Sequence, residues 1–474
     1  MKILVICSED YSFSDSPLAR AVGYIVSAYK TQGIEILGFV PYYNRLLASQ
    51  NDNVKKQFEV IGGGTERVQK KEYSIIKSKN DENLFVRADD YFGRDGVYGD
   101  SGKSSYNDNH LRFAFLTSVA LDWCIKSGFQ PDYIHCHEWS GVAGALAKGV
   151  YKDFFGEIPV FLTIHNIKYD CYCNPNDIPL IGLPPEGFNI DGYEFWGKVS
   201  FLKAAILYAD KVAFTSISYL FHLLSSDLPG GIRGFLESCK PKLFGIQNGI
   251  DYEKWDNWND TAELTMAKKK SKAEFRKQSG LSSDESMLMY AHIENGFGNS
   301  SQVISTIIYD MMKLNLQLAL RIHANHPAYS YFAAVSAQHK GKIVLLPPAE
   351  NEAVLHERML ASDLFFTINL EEPSAVILLK SFAVGALVLT NRRSKRPLIF
   401  TIPYGEEVQG NEERANSFVA DDDSPDLILN QIRTAEQLFH NSPTLWGRLI
   451  SNAAKLRITW QDTAEHYLLL LQHG

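Results

Sequence analysis

The chain has 474 residues, too many for one hydrophobic core, so two or more domains are expected. Apolar residues at 45% and charged residues at 22% are ordinary for a globular protein, and a net charge of −8 excludes a surface built to neutralise nucleic-acid phosphates. The 12% aromatic content suits a neutral, hydroxylated ligand such as a polysaccharide, although any single ring is a core filler first.

Met1-Lys-Ile-Leu-Val-Ile-Cys7 enters a buried strand pattern directly, without the basic and apolar regions of a signal peptide. No run reaches 18 apolar residues, so no membrane span is expected. Six cysteines in so long a chain make no disulfide framework, and a reducing cytoplasm is the expected home. His135-Cys-His137 with Cys171 and Cys173 matches no zinc spacing, so no metal and no other cofactor is expected.

Short apolar runs at 3–6, 133–136, 160–164, 211–215 and 243–246 predict buried parallel strands, each followed by a helical or loop segment. The polar stretch 49–79 reads as a mobile insertion. A second series of runs, at 287–290, 318–323, 343–346, 364–368 and 387–390, predicts a second domain of the same α/β, doubly wound kind. Between the two series lie Asp256-Asn-Trp-Asn-Asp260 and the basic Lys268-Lys-Lys-Ser-Lys272, read as the solvated face of a helix. The boundary is therefore expected at 255–265, giving domains 1–260 and 261–455. A final amphipathic helix within 456–474 is expected to pack back on the first domain.

An ordered series of motifs in the first half resembles the glycogen/starch synthase family. It runs through Tyr91-Phe-Gly-Arg-Asp-Gly-Val-Tyr-Gly-Asp100, Asn107-Asp-Asn-His-Leu-Arg-Phe-Ala-Phe115, His135-Cys-His-Glu-Trp139 and Thr163-Ile-His-Asn166. It continues through Gly182-Leu-Pro-Pro-Glu-Gly-Phe188, Asp191-Gly-Tyr-Glu-Phe195, Leu202-Lys-Ala-Ala205, Tyr208-Ala-Asp210 and Asn248-Gly-Ile-Asp251. The resemblance implies a GT-B fold, with two Rossmann-like domains facing a central cleft. It also implies retaining transfer of glucose from ADP- or UDP-glucose to the non-reducing end of an α-1,4-glucan, without a metal. His165 resembles the family histidine whose carbonyl lies against the transferring glucose. Glu372, in Glu372-Pro-Ser-Ala-Val-Ile-Leu378, resembles the carboxylate close to the sugar. Glu138 stands where the family has aspartate, and Asn248 and Gly249 are read as substrate-binding.

The phosphate-binding motifs depart from the family. A diphosphate leaving group must be met by cations and backbone amides, each preorganised donor being worth about 2.7–4 kcal/mol. The family's Lys-x-Gly-Gly-Leu loop is here Ser14-Asp-Ser-Pro-Leu18, so Asp15 brings an acid and Pro17 removes an amide donor. The family arginine and lysine of the second domain are replaced by His292 and Phe297, with Glu294 between them. Arg393 and Lys395 are cations gained in a neighbouring loop, and are read as possible donor-binding replacements. Two functions follow from this pattern. One is a glucan-contacting homologue with weak or lost catalysis, its partners an α-glucan, a nucleotide sugar and an intact glycogen synthase. The other is an active, divergent glycosyltransferase with a different donor. Neither involves nucleic acid or a membrane.

Overall fold

A computed structural model describes residues 1–9, 11, 16–43, 58–78, 83–100, 105–167, 171–225, 232–256, 258–293, 299–368, 374–392, 401–404 and 414–472. The chain forms two compact units, Met1–Gln247 with Trp460–Gly474, and Asn248–Thr459.

The first unit is built on β1 (Lys2–Cys7), β2 (Glu35–Pro41), β3 (Phe58–Thr65), β4 (Glu72–Ser78), β5 (Leu84–Arg87), β6 (Tyr133–His137) and β7 (Val160–Ile164). β8 (Tyr172–Cys173), β9 (Glu194–Phe195) and β10 (Lys198–Ser200) form a separate small sheet, while β11 (Lys211–Phe214) and β12 (Leu243–Gly245) complete the large one. The large sheet runs β12-β11-β7-β6-β1-β2-β5-β4-β3. Its central strands are parallel and buried on both faces, the reason they read as unbroken apolar runs.

The insertion expected over 49–79 is corrected from Phe58 onward, because β3 and β4 pair there as antiparallel strands. Gly62 is needed at that edge: a Cβ on it would stand 2.4 Å from the Trp123 ring. Beyond β3 the buried Glu66 carboxylate accepts amides of Val68 and Gln69 and the Ser118 hydroxyl, which fixes the turn into β4.

The second unit holds β13 (Met287–His292), β14 (Leu316–Arg321), β15 (Ile343–Leu346), β16 (Leu364–Phe366), β17 (Leu387–Asn391) and β18 (Ser417–Ala420). All are parallel, in the order β15-β14-β13-β16-β17-β18, so strand order reverses between β13 and β16.

The chain passes between units at Gln247/Asn248 rather than at 255–265. Packing explains the difference. Trp255 lies in the second unit's core under Lys380 Nζ, 5.0 Å from its ring, and the Tyr252 hydroxyl receives the Ile458 amide. The basic stretch is also corrected. On the Thr261–Ser279 helix Lys269 and Lys270 are exposed, but Lys268 is buried and donates to the carbonyls of Leu360, Ser362 and Val384. Lys272 pairs with the buried Asp363.

Candidate functional site

In an open parallel sheet, ligands bind beyond the carboxyl ends of the strands where strand order reverses. In the first unit that place lies between β1 and β6, and the chain supplies it with Ser8 and Glu9 after β1, Glu138 after β6 and His165 after β7.

Glu138 sits at φ +53°, a left-handed conformation that costs a non-glycine residue about 1–3 kcal/mol. The strain turns its carboxylate onto the next strand's end, where Oε1 accepts the backbone amides of His165 and Asn166. Burial pushes this carboxyl up to about 8, with a small further push from Glu9, while the two amides pull the other way. The proton is therefore largely retained at neutral pH.

Three histidines line the floor. His165 Nε2 lies 3.2 Å from His137 Nδ1, and the His137 and His135 rings are 4.2 Å apart. Burial lowers His135 and His165 to about 3 and, with the neighbouring histidines, holds His137 well below the ordinary range, so all three are neutral. Behind them runs a hydrogen-bonded chain: the Tyr29 hydroxyl with His135 Nδ1 (3.2 Å), His135 Nε2 with Thr163 Oγ1 (2.9 Å), and Thr163 Oγ1 donating to the Tyr467 hydroxyl (3.2 Å). Tyr467 comes from the Trp460–Gln472 helix, which belongs to this unit.

Much of the remaining motif series is spent on architecture. Arg112 is fully buried and donates to the carbonyls of Tyr91 and Val97 and to Asn109 Oδ1, which shapes the 91–97 loop. Tyr98 reaches Ser8 Oγ at 2.9 Å and stacks on Trp139. Lys203 Nζ holds the carbonyls of Ile190 and Glu194, and Asp210 receives the Val160 amide.

Of the positions expected from the sequence to face a donor phosphate, Pro17 and His292 are among the described residues. Pro17 is the first residue of the Pro17–Thr31 helix, and Ser16 caps that helix through the Ala19 amide. The Ser16 hydroxyl also donates to the buried Glu9 carboxylate, an acid that motif reading passed over. In the second unit His292 ends β13 at the reversal point. Its ring meets Tyr290 edge-on at 4.7 Å and Phe365 at 5.0 Å. Burial first, then the charges of Arg321 and Arg358, hold its basicity well below the ordinary range, so it is a neutral imidazole. Arg321 is paired with it across β13 and β14 and was also missed from sequence. Ala375 has φ +51° just before the Val376–Ala383 helix. Asn248 and Gly249 are buried where the second unit begins. The expectations on Asp15, Glu294, Phe297, Glu372, Arg393 and Lys395 lie outside the described residues.

Residues 2–238 match the family described as the starch synthase catalytic domain. The chain is 27% identical over 489 residues to a glycogen synthase of Geotalea daltonii, covering 98% of this chain and 97% of that protein. It is 27% identical over 496 residues to a glycogen synthase of Actinobacillus pleuropneumoniae, covering 100% and 99%. Among solved structures, the catalytic domain of starch synthase IV from Arabidopsis thaliana, bound to ADP and acarbose, superposes with a TM-score of 0.82 at 21% identity, covering 100% of this chain and 99% of that one. The fold is GT-B. No helix among the described residues is long and apolar enough to cross a membrane.

Proposed function

The chain belongs to the starch synthase catalytic-domain family, and on that premise we propose that it acts in α-1,4-glucan metabolism with glucan contact retained and glucosyl transfer weak or lost. Its surroundings are the reducing cytoplasm that six thiols fit. The observation that carries the reading is the contrast between the two ends of the site. At the sugar end, Glu138 and His165 form a closed, hydrogen-bonded corner of the first unit. In the first unit Glu9 and Pro17 stand at a helix start suited by its dipole to anions, and in the second unit, taken by itself, His292 is uncharged. A leaving diphosphate would gain little stabilisation from these groups. In this reading the first unit is the acceptor-side domain, the second the nucleotide-sugar domain, and Glu372, Arg393 and Lys395 complete the donor side by resemblance. An intact glycogen synthase is the natural partner of such a homologue.

One observation favours the second reading, an active and divergent transferase: Arg321 and Arg358 both place positive charge near His292. Labelled-glucose incorporation into glycogen, run beside a glycogen-containing native gel, separates the two. Retarded migration with background incorporation from ADP-glucose and UDP-glucose is expected. Turnover of about 1 s⁻¹ or more, within the usual enzyme range and lost in Arg321→Ala, would establish the active reading instead.

A further inference from the structure

At the start of the Asn109–Ser127 helix three side chains converge that the site described above leaves unused. His110 is 5% exposed, and its Nε2 lies 3.1 Å from Asp177 Oδ2. Its other ring nitrogen, Nδ1, is buried without a hydrogen-bond partner. Cys173, buried on β8, completes the group: one donor atom from each of the three residues lies within 4.8 Å of the other two. Among the described residues no other such cluster of His, Cys, Asp and Glu occurs.

We propose that His110, Cys173 and Asp177 bind a zinc ion. The donor set is one nitrogen, one sulfur and one oxygen, the mixture zinc accepts, whereas magnesium and calcium ask for oxygen alone. Two donors held about 2.1 Å from a tetrahedral ion stand about 3.4 Å apart, close to the observed His110–Asp177 separation. The thiol needs to close by less than a bond length. Asp177 keeps 28% of its side chain exposed, which leaves an entry path and room for a water as fourth ligand.

On binding, the Cys173 S–H bond breaks, its proton passes to buffer, and the thiolate sulfur forms the bond to zinc. The ion ties β8 and the Pro175–Asp177 turn to the helix whose Arg112 shapes the 91–97 loop. The ligating histidine lacks a protein acceptor for its outer N–H. Such support is worth about 10–100-fold in affinity, so micromolar rather than tighter binding is expected.

The test is calorimetric titration of zinc chloride into the reduced, chelator-treated full-length protein, in two buffers of different ionisation enthalpy. Cobalt(II) absorption is recorded in parallel. One equivalent should bind with proton release, and cobalt should give a thiolate charge-transfer band. Cys173→Ser and Asp177→Asn should each weaken binding at least tenfold, and Cys173→Ser should abolish the band. Cys171→Ser should leave both signals intact. His110→Gln serves as a second ligand variant, with circular dichroism establishing that each protein is folded. No stoichiometric binding, or binding that survives all three ligand substitutions, would overturn the proposal.

Discussion

Glu138 and Ala375 both hold left-handed backbone that favours glycine, and they hold it for different reasons. Glu138 uses the strain to deliver a carboxyl to two amides; Ala375 carries only a small buried methyl at the start of the Val376–Ala383 helix. Ala375→Gly should therefore raise stability by about 1 kcal/mol in chemical denaturation, the left-handed penalty outweighing the added chain entropy. A loss of stability would mean that the methyl's packing dominates. For Glu138 the sign follows from its raised carboxyl. The folded state holds the proton more tightly than the unfolded chain, so its contribution is present below about 4.5 and is lost as pH rises through about 8. Melting temperatures of the wild type and Glu138→Gln, compared from acid to mildly alkaline pH, should show the wild type losing ground over that window. Parallel profiles would place the carboxyl in its ordinary range. Glu138, His165 and His292 could be singled out from sequence because each sits inside a motif. Glu9 and Arg321 were not, because their importance arises only when parallel strands bring their carboxyl ends together.

Elements follow the same logic. Parallel strands such as β7 and β15 were legible to their end residues because each is an uninterrupted apolar run, although β7 is buried throughout and β15, at the sheet edge, only at Ile343. β3 was not: it carries three consecutive glycines on a largely exposed edge, and its place depends on Trp123 of a distant helix. Nor could charge alone assign faces to the Thr261–Ser279 helix. Burial there lowers the Lys268 ammonium to about 7, and its Nζ donates to three carbonyls at that corner. Lys268→Met should cost about 2–4 kcal/mol through the buried carbonyls it leaves unpaired, whereas Lys270→Ala should stay within about 0.5 kcal/mol. Thermal denaturation of the two variants checks the contrast; equal effects would restore the solvated-helix reading. The Trp460–Gln472 helix was expected to return to the first domain, but its link to the site was hidden. The Thr163–Tyr467 bond joins residues 304 apart, beyond any local pattern.

At the scale of the whole molecule the fold is GT-B, and the proposed function rests on the Glu138–His165 corner of the first unit and on a neutral His292 in the second. Scaffold retention alone does not require substrate, because Arg112, Lys203 and Asp210 show how much of the motif series serves internal hydrogen bonding. The central claim is therefore about the donor. Calorimetric titration of the full-length protein with ADP-glucose and UDP-glucose tests it most directly. The account predicts a dissociation constant weaker than about 1 mM, less than about 4.1 kcal/mol of binding, for both. Micromolar affinity for either nucleotide sugar would contradict it.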